Sequence, residues 1–282
     1  MTDVTDGPAR TMGARRILAV RGAAVEERRD VLAGEEPMAI RAAGPGQGPV
    51  DVAITMRTPG EDAELAIGFL FTEGLIAPGD VEDVEVGDPA AIAHPDDEVT
   101  VRLRVPFDAS AVAARNFVAT ASCGICGKAS LDSVALRCRR VGPGPVVTRS
   151  TLLGLPDALR AGQAVFERTG GLHAAGLFTP DGRLVRVAED VGRHNALDKL
   201  VGASLLAGDL PFAGRVVLVS GRLAFEIVAK AGAASAPFLA AVGAPTDLAA
   251  EAAERLGMTL VGFLRGDGFN VYAGSERIDL AR

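Results

Sequence analysis

Apolar and polar positions recur along this chain with two periods, and the periods predict its elements. Residues 98–105 alternate strictly between apolar and polar side chains, which predicts a half-buried β-strand. The stretch 61–73 has acidic residues in its first turn, apolar residues at helical spacing and a glycine just past its end, which predicts an α-helix. Short β-like runs over residues 16–57 complete an N-terminal α+β unit.

In the C-terminal half, the spacing of apolar residues switches more often between the helical and the strand period. A helix is predicted over 156–168, and then two short strands are joined by the turn sequence Pro180-Asp181-Gly182. From about Gly192 onward, helices and strands alternate until a last strand at 259–264. This order predicts an α/β domain of three layers, with a mixed sheet covered by helices, that resembles the cytidine-deaminase fold.

A Gly/Pro-rich break at 141–148 is the predicted boundary between the two units. We therefore expect a disordered tail over residues 1–14 and an N-terminal α+β domain over 15–145, the latter carrying a loop at 119–130. Residues 146–282 would form the cytidine-deaminase-like α/β domain.

Composition narrows the class of protein. The 282 residues are 48% hydrophobic and 23% charged, with a net charge of −7, no tryptophan and one tyrosine. The negative net charge and the small number of aromatic side chains argue against nucleic-acid binding. The N-terminus has no apolar signal core, and the most apolar later stretch, 223–244, is interrupted by charges and a proline, so we expect no membrane span. Three cysteines do not suggest a secreted disulfide framework, and a cytoplasmic enzyme is expected.

The clearest chemistry lies in the sequence ATASCGICGK at 119–128, where Cys123 and Cys126 are spaced C-x-x-C. The glycine after each cysteine leaves the sulfurs open to a large partner. A second thiol, open backbone amides and the following Lys128 favour the thiolate, which is the nucleophilic form. We therefore expect sulfur chemistry at this motif.

Two other uses of a C-x-x-C stay open. A structural zinc needs four ligands, and the further candidates, Cys138, His94, His173 and His194, form no second paired motif. A thioredoxin-like redox pair should follow a strand, but the residues before this motif look helical. Cys138 is expected to be a small buried apolar residue and His173 a hydrogen-bonded strand residue.

Metal chemistry of the deaminase type is not expected. That fold carries its zinc ligands at two helix starts, in the signatures H-x-E and P-C-x-x-C. The corresponding starts here read Arg193-His194-Asn195-Ala196 and Ser220-Gly221-Arg222-Leu223, without the glutamate or the cysteines. A deaminase activity is therefore not supported by these residues.

The same two helix starts favour anion binding instead. Free amides at a helix N-terminus attract anions, and Arg193, His194, Arg222 and Lys230 add positive charge nearby. A third cluster, Arg265-Gly266-Asp267-Gly268, follows the strand at 259–264, and Asp267 could accept hydrogen bonds from a guanine. Open α/β sheets bind ligands at the carboxyl ends of their strands. We expect a phosphate-bearing ligand where these three Gly/Arg junctions meet.

Six motifs in order give the chain a family resemblance: CGICGK, TGGLHAAGLF, EDVGRHNALDKLVG, SGRLAFEIVAKA, APTDLA and GFLRGDGFNVY. Together they resemble the FdhD family, the formate dehydrogenase accessory sulfurtransferases, over about residues 16 to 275. The family is similar to cytidine deaminases in fold.

The resemblance implies a function. Such proteins take sulfur from a cysteine desulfurase as a persulfide and pass it to the metal of a Mo-bis(molybdopterin guanine dinucleotide) cofactor destined for formate dehydrogenase. By motif match, Cys123 would carry the persulfide, Cys126 would assist, and Phe263, Leu264, Arg265, Gly266, Asp267 and Gly268 would bind the cofactor. A homodimer is also implied. A non-catalytic chaperone of the cofactor and a thiol–disulfide oxidoreductase remain as alternatives.

Overall fold

Two sheets, each with its own apolar core, are joined by a pair of crossing helices. The computed structural model describes residues 11–87, 97–113 and 139–281. The strands are β1 (Met12–Arg21), β2 (Ala24–Ala33), β3 (Glu36–Ala43), β4 (Val50–Arg57), β5 (Val81–Val86), β6 (Glu98–Leu103), β7 (Val147–Thr148), β8 (His173–Phe178), β9 (Leu184–Asp190), β10 (Val216–Val219), β11 (Phe238–Ala241), β12 (Thr259–Arg265), β13 (Gly268–Ala273) and β14 (Ile278–Asp279). The helices are α1 (Asp62–Thr72), α2 (Ala109–Ala113), α3 (Arg149–Gly162), α4 (Ala164–Thr169), α5 (Arg193–Leu206), α6 (Phe225–Ala233) and α7 (Asp247–Leu256).

The N-terminal unit is a four-stranded sheet in the order β4-β3-β6-β5, with α1 packed on one face. Its core is built from apolar side chains on β3, β6 and α1, among them Met38, Ile40, Leu65, Leu70 and Val99. The helix expected over 61–73 is confirmed, and the strand expected over 98–105 is confirmed as far as Leu103.

A separate two-stranded ribbon precedes this sheet. β1 and β2 pair antiparallel from Met12 opposite Ala33 to Arg21 opposite Ala24, and most of their side chains are exposed. The tail predicted over 1–14 is therefore shorter than the sequence indicates, because residues from 12 onward are taken up by pairing with β2. Residues 1–10 lie outside the described part of the chain.

The C-terminal unit is a six-stranded sheet in the order β13-β12-β11-β10-β8-β9. β10 is parallel to β11 and β11 to β12, while β8 is antiparallel to both of its neighbours, β9 and β10. Strands β9, β10, β11 and β12 therefore run in one direction and end at one edge of the sheet, which we call the carboxyl edge. The expected hairpin and the alternation after it are confirmed, but β13 and β14 follow the strand predicted to be the last.

Helices pack on both faces of this sheet. On one face, α5, α6 and α7 bury Leu197, Ile227 and Ala253 against it. On the other face, α3 buries Leu152 and Leu155. The architecture is a mixed α/β fold, and the specific likeness to cytidine deaminases stays a prediction.

The single helix predicted over 156–168 is wrong. The chain forms two helices, α3 and α4, and Pro156 lies inside the first of them. The start is set earlier because the Thr148 side chain accepts a hydrogen bond from the Thr151 amide and so caps α3. Burial of three leucines at helical spacing compensates for the proline's missing donor: Leu152, Leu155 and Leu159.

Candidate functional site

The three Gly/Arg junctions meet at the carboxyl edge. A Cβ atom on Gly221 would lie 3.5 Å from the Arg193 side chain, so the β10–α6 junction touches the start of α5. The Gly243 amide donates to the Gly221 oxygen at 3.2 Å, and the Phe263 amide donates to the Gly243 oxygen at 3.0 Å. These contacts place the start of α5, the end of β10 and the end of β12 next to one another along this edge.

Arg193 and His194 form the first turn of α5, behind the N-cap residue Gly192. The Nε atom of Arg193 and the Nε2 atom of His194 are buried and have no hydrogen-bond partner among the described residues. Burial, the Arg193 charge and the Lys230 charge together lower the pKa of His194 to about 4. The imidazole is therefore uncharged near neutral pH and can donate or accept a hydrogen bond.

His173 begins β8 at the same edge, and a Cβ atom on Gly221 would lie 3.4 Å from its Nδ1. Burial and the nearby Arg193 charge lower the pKa of His173. The sequence predicts a strand histidine here, and His173 is indeed the first residue of β8, opposite Asp190 and beside Arg193.

The third junction is a tight hairpin turn between β12 and β13. Arg265 pairs with Gly268, and the residues between them, Gly266 and Asp267, are exposed. Just before the turn the register slips, and Phe263 adopts a left-handed backbone with φ of 54°. Such bulges and strained residues re-aim side chains and are common at functional sites.

Two of the predicted cofactor contacts, Arg265 and Leu264, differ in the exposure of their side chains. Arg265 is exposed, with its guanidinium 5.7 Å from the centre of the Phe263 ring, so it can reach a ligand. Leu264 has no exposed surface and packs in the core on the α3 face of the sheet. Successive side chains of a strand point to opposite faces, and that of Leu264 points into the core. Only the backbone of Leu264 can therefore face a ligand.

The two predicted cations near the second helix start also differ. Arg222 is exposed and free to meet an anion. Lys230 is buried, and its Nζ donates to Asp198 at 2.8 Å, to Thr72 at 2.9 Å and to Glu73 at 3.1 Å. The sequence predicts positive charge near this helix start from Lys230, and in the structure that charge is enclosed by two carboxylates and a hydroxyl, which occupy its donors.

Sequence reasoning missed a buried network that positions α5. Asp190 accepts hydrogen bonds from the Gly192 amide at 2.8 Å and from Asn195 Nδ2 at 3.0 Å, and it pairs with Lys199 Nζ at 2.9 Å. Asn195 also donates to the Met56 oxygen, which belongs to β4. Asn195 and Lys199 are four residues apart and so lie on one face of α5, and this spacing is the sequence signal that could have predicted the network. The start of α5 is thus anchored to the N-terminal sheet.

Cys123, Cys126 and Cys138 lie outside the described residues, as does His94. Within the described residues, no three His, Cys, Asp or Glu side chains are close enough together to hold a metal ion.

A cavity of about 390 Å³ lies at the opposite edge of the sheet from the three junctions. Arg140, Glu254 and Arg277 are among the residues that line it. The Arg277 side chain is already bonded to the oxygens of Gly142 and Pro143 and to Thr259. We assign this cavity a structural role, because Arg277 holds the chain segment that leads into the C-terminal unit.

The fold and the edge together define an α/β protein with a basic, glycine-lined surface suited to an anionic ligand. None of the helices among the described residues is long and apolar enough to cross a membrane. Comparison with known proteins makes the assignment more specific: the family model described as the FdhD/NarQ family matches residues 33–279. The chain belongs to this family, which confirms the resemblance seen in the six sequence motifs.

Individual relatives cover nearly the whole chain. A protein of Streptomyces coelicolor named "Sulfur carrier protein FdhD" is 49% identical, covering 94% of this chain and 95% of its own. Proteins with the same name from Nocardia farcinica and Sulfolobus acidocaldarius are each 44% identical, and the alignments cover 95% and 89% of this chain and 95% and 92% of theirs.

A crystal structure from Desulfotalea psychrophila, of a candidate formate dehydrogenase accessory protein, has a similar fold. Its TM-score is 0.71 at 23% sequence identity, and the match covers 95% of this chain and 99% of that one. This likeness establishes the shared fold.

Proposed function

We propose that the protein is a sulfur carrier that supports the maturation of formate dehydrogenase. It would accept sulfur from a cysteine desulfurase as a persulfide on Cys123 and pass it to the metal of Mo-bis(molybdopterin guanine dinucleotide), which is its bound substrate. The observation that carries the proposal is that relatives 44–49% identical along almost the whole chain bear the name sulfur carrier protein.

The chemistry of the first step fits the C-x-x-C sequence. The Cys123 thiolate attacks the outer sulfur of the donor's persulfide, and the donor's own thiolate leaves. Cys126 is close enough in sequence to assist as a relay or to resolve the persulfide. A cytoplasmic location suits this chemistry, because thiols stay reduced there.

The carboxyl edge is the proposed place for the substrate's guanine dinucleotide arms. Arg193, Arg222 and Arg265 belong to three separate junctions along that edge, and each can bind phosphate oxygens. Gly266, Asp267 and Gly268 follow Arg265 at the turn, with Phe263 just before it, and Asp267 could accept hydrogen bonds from a guanine. Local basic groups of this kind can bind a polyphosphate although the whole chain has a net charge of −7.

Two arms in one ligand also suit two copies of this edge, so we propose a homodimer as the working form. Neither nucleic acid nor a membrane is among the proposed partners. The proposed partners are the cysteine desulfurase, the apo form of formate dehydrogenase and the molybdenum cofactor.

Complementation tests the proposal. In a host that lacks its own sulfur carrier, the wild-type chain and a Cys138→Ala control should both restore formate dehydrogenase activity, and Cys123→Ala should not. A chaperone that only delivers the cofactor would keep its activity in Cys123→Ala. A thiol–disulfide oxidoreductase would reduce insulin disulfides and would have no affinity for guanine nucleotides.

A further inference from the structure

Two adjacent side chains at the carboxyl edge each leave a buried nitrogen without a partner. They are Nε of Arg193 and Nε2 of His194, and neither atom is hydrogen-bonded to any described residue. Burying a polar group without a partner is unfavourable, because its hydrogen bonds to water are lost and nothing replaces them. Native proteins therefore keep few such groups, and each one calls for an explanation. Here both belong to the first turn of one helix, so one ligand could satisfy both.

The two side chains differ in charge. His194 is faced by Arg193 on its own helix, Lys230 on α6, His173 on β8 and Glu73 just past α1. Burial and the first two cations lower its pKa to about 4, while Glu73 opposes this effect. Arg193 contributes a guanidinium, which is the cationic member of the pair. The edge thus presents one cationic and one uncharged hydrogen-bonding group side by side.

These two groups suit different parts of a ligand. A guanidinium binds phosphate oxygens with strong, charge-assisted hydrogen bonds. An uncharged imidazole lacks that Coulomb attraction, and it gains most from a hydroxyl, an amide or a ring nitrogen that needs a single hydrogen bond. The stem of Arg193 packs against Gly221, which holds Arg193 beside the β10–α6 junction.

We propose that Arg193 and His194 divide the recognition of one ligand, with Arg193 on a phosphate group and His194 Nε2 on an uncharged polar group of the same molecule. The ligand class is a nucleotide-like phosphate ester, as distinct from a free inorganic anion. This inference rests on the proposed function, because it specifies how the same edge would hold one nucleotide arm of the substrate.

Calorimetric titration of the full chain with two probes, GDP and inorganic pyrophosphate, tests the division. Arg193→Gln should weaken binding of both probes about tenfold or more, since it removes a charge-assisted contact. His194→Phe should weaken GDP binding by about tenfold and change pyrophosphate binding by less than about twofold. His194→Gln, which keeps an uncharged hydrogen-bonding group near the Nε2 position, should retain most of the GDP affinity. The control is Arg255→Gln, on the exposed side of α7, which should leave both affinities unchanged.

The division is overturned if His194→Phe leaves GDP binding unchanged, or if it weakens both probes equally. It is also overturned if wild type binds neither probe, whereas the proposed function is decided separately by complementation with Cys123→Ala. Thermal melts show whether each variant is folded. If His194→Phe does not fold, His194→Asn replaces it, because its shorter amide cannot reach the Nε2 position and should lose the same GDP affinity.

Discussion

Gly68 and Gly202 face each other where α1 of the N-terminal unit crosses α5 of the C-terminal unit. A Cβ atom on Gly202 would lie 2.8 Å from the Gly68 amide nitrogen and 1.9 Å from the Glu64 oxygen. A Cβ atom on Gly68 would lie 1.8 Å from the Asp198 oxygen. The two helices therefore cross in backbone contact, which only glycine permits, and this contact fixes the start of α5 relative to the N-terminal sheet.

Substitution of Gly202 by alanine should destabilise the whole protein. The new methyl group would meet backbone atoms of α1, which cannot rotate away, so the helices would have to separate. We expect a loss of about 3 kcal/mol in the free energy of unfolding, at the upper end of the cost of overpacking. Chemical denaturation followed by circular dichroism measures this value.

Gly154 is the matched control for that substitution. It also lies inside a helix, α3, but a Cβ atom added there would contact nothing within 4 Å. Gly154→Ala should therefore raise stability by about 0.5–1 kcal/mol, because alanine is the better helix former. Equal losses for Gly154→Ala and Gly202→Ala would contradict the close crossing of α1 and α5.

Removal of the Lys230 charge should also be costly. Asp198 is 1% exposed, and Lys230→Met would leave its carboxylate buried without a counter-charge. The expected loss is about 3–5 kcal/mol. The double variant Lys230→Met/Asp198→Asn should recover much of that loss in denaturant titrations, since Thr72 can still bond the new amide. Losses that simply add would show that the two side chains do not act as a pair.

The low pKa of His194 predicts a pH dependence of stability. Between about 4 and the ordinary value of 6.5, the unfolded chain binds a proton at this residue and the folded chain does not. The contribution of His194 to stability is therefore fully present above pH 6.5 and is lost as the pH falls toward 4.

From pH 7 to pH 5 this contribution should fall by about 2 kcal/mol. Denaturation of wild type and His194→Gln at both pH values isolates it, because carboxylates elsewhere affect both proteins alike. The variant should lose less stability on acidification than wild type. An equal pH effect in the two proteins would mean that His194 titrates normally in the folded state.

Arg265 should contribute directly to nucleotide affinity. Its guanidinium is exposed at the β12–β13 turn, so Arg265→Ala should weaken GDP binding by about tenfold without loss of thermal stability. Arg255→Ala serves as the control because that arginine is exposed on α7, where it pairs with Glu251 one helical turn away. Unchanged GDP affinity in calorimetry would remove Arg265 from the proposed site.

Much of the C-terminal unit follows from the sequence because its elements are signalled locally. Pro180-Asp181-Gly182 specifies the β8–β9 turn, and Gly192 marks the start of α5. The meeting of the Arg193, Arg222 and Arg265 junctions at one edge follows from strand direction, which the alternation of elements already predicts.

Other features depend on contacts between distant residues, and no local pattern reveals them. Lys230 has the sequence context of an exposed helical lysine, yet the packing of α1 and α5 encloses it with Asp198. Leu264 belongs to a predicted cofactor-binding segment, but its side chain packs in the core on the α3 face of the sheet. Pro156 favours a helix start, and the Thr148 cap places that start seven residues earlier, at Arg149.

Mass spectrometry of the intact protein tests the central claim most directly. After incubation with a cysteine desulfurase and cysteine, wild type and Cys138→Ala should each gain the mass of one sulfur atom, which a thiol reductant removes. Cys123→Ala should gain none. An adduct that persists in Cys123→Ala, or a wild-type protein that never acquires one, would contradict the assignment of Cys123 as the sulfur carrier.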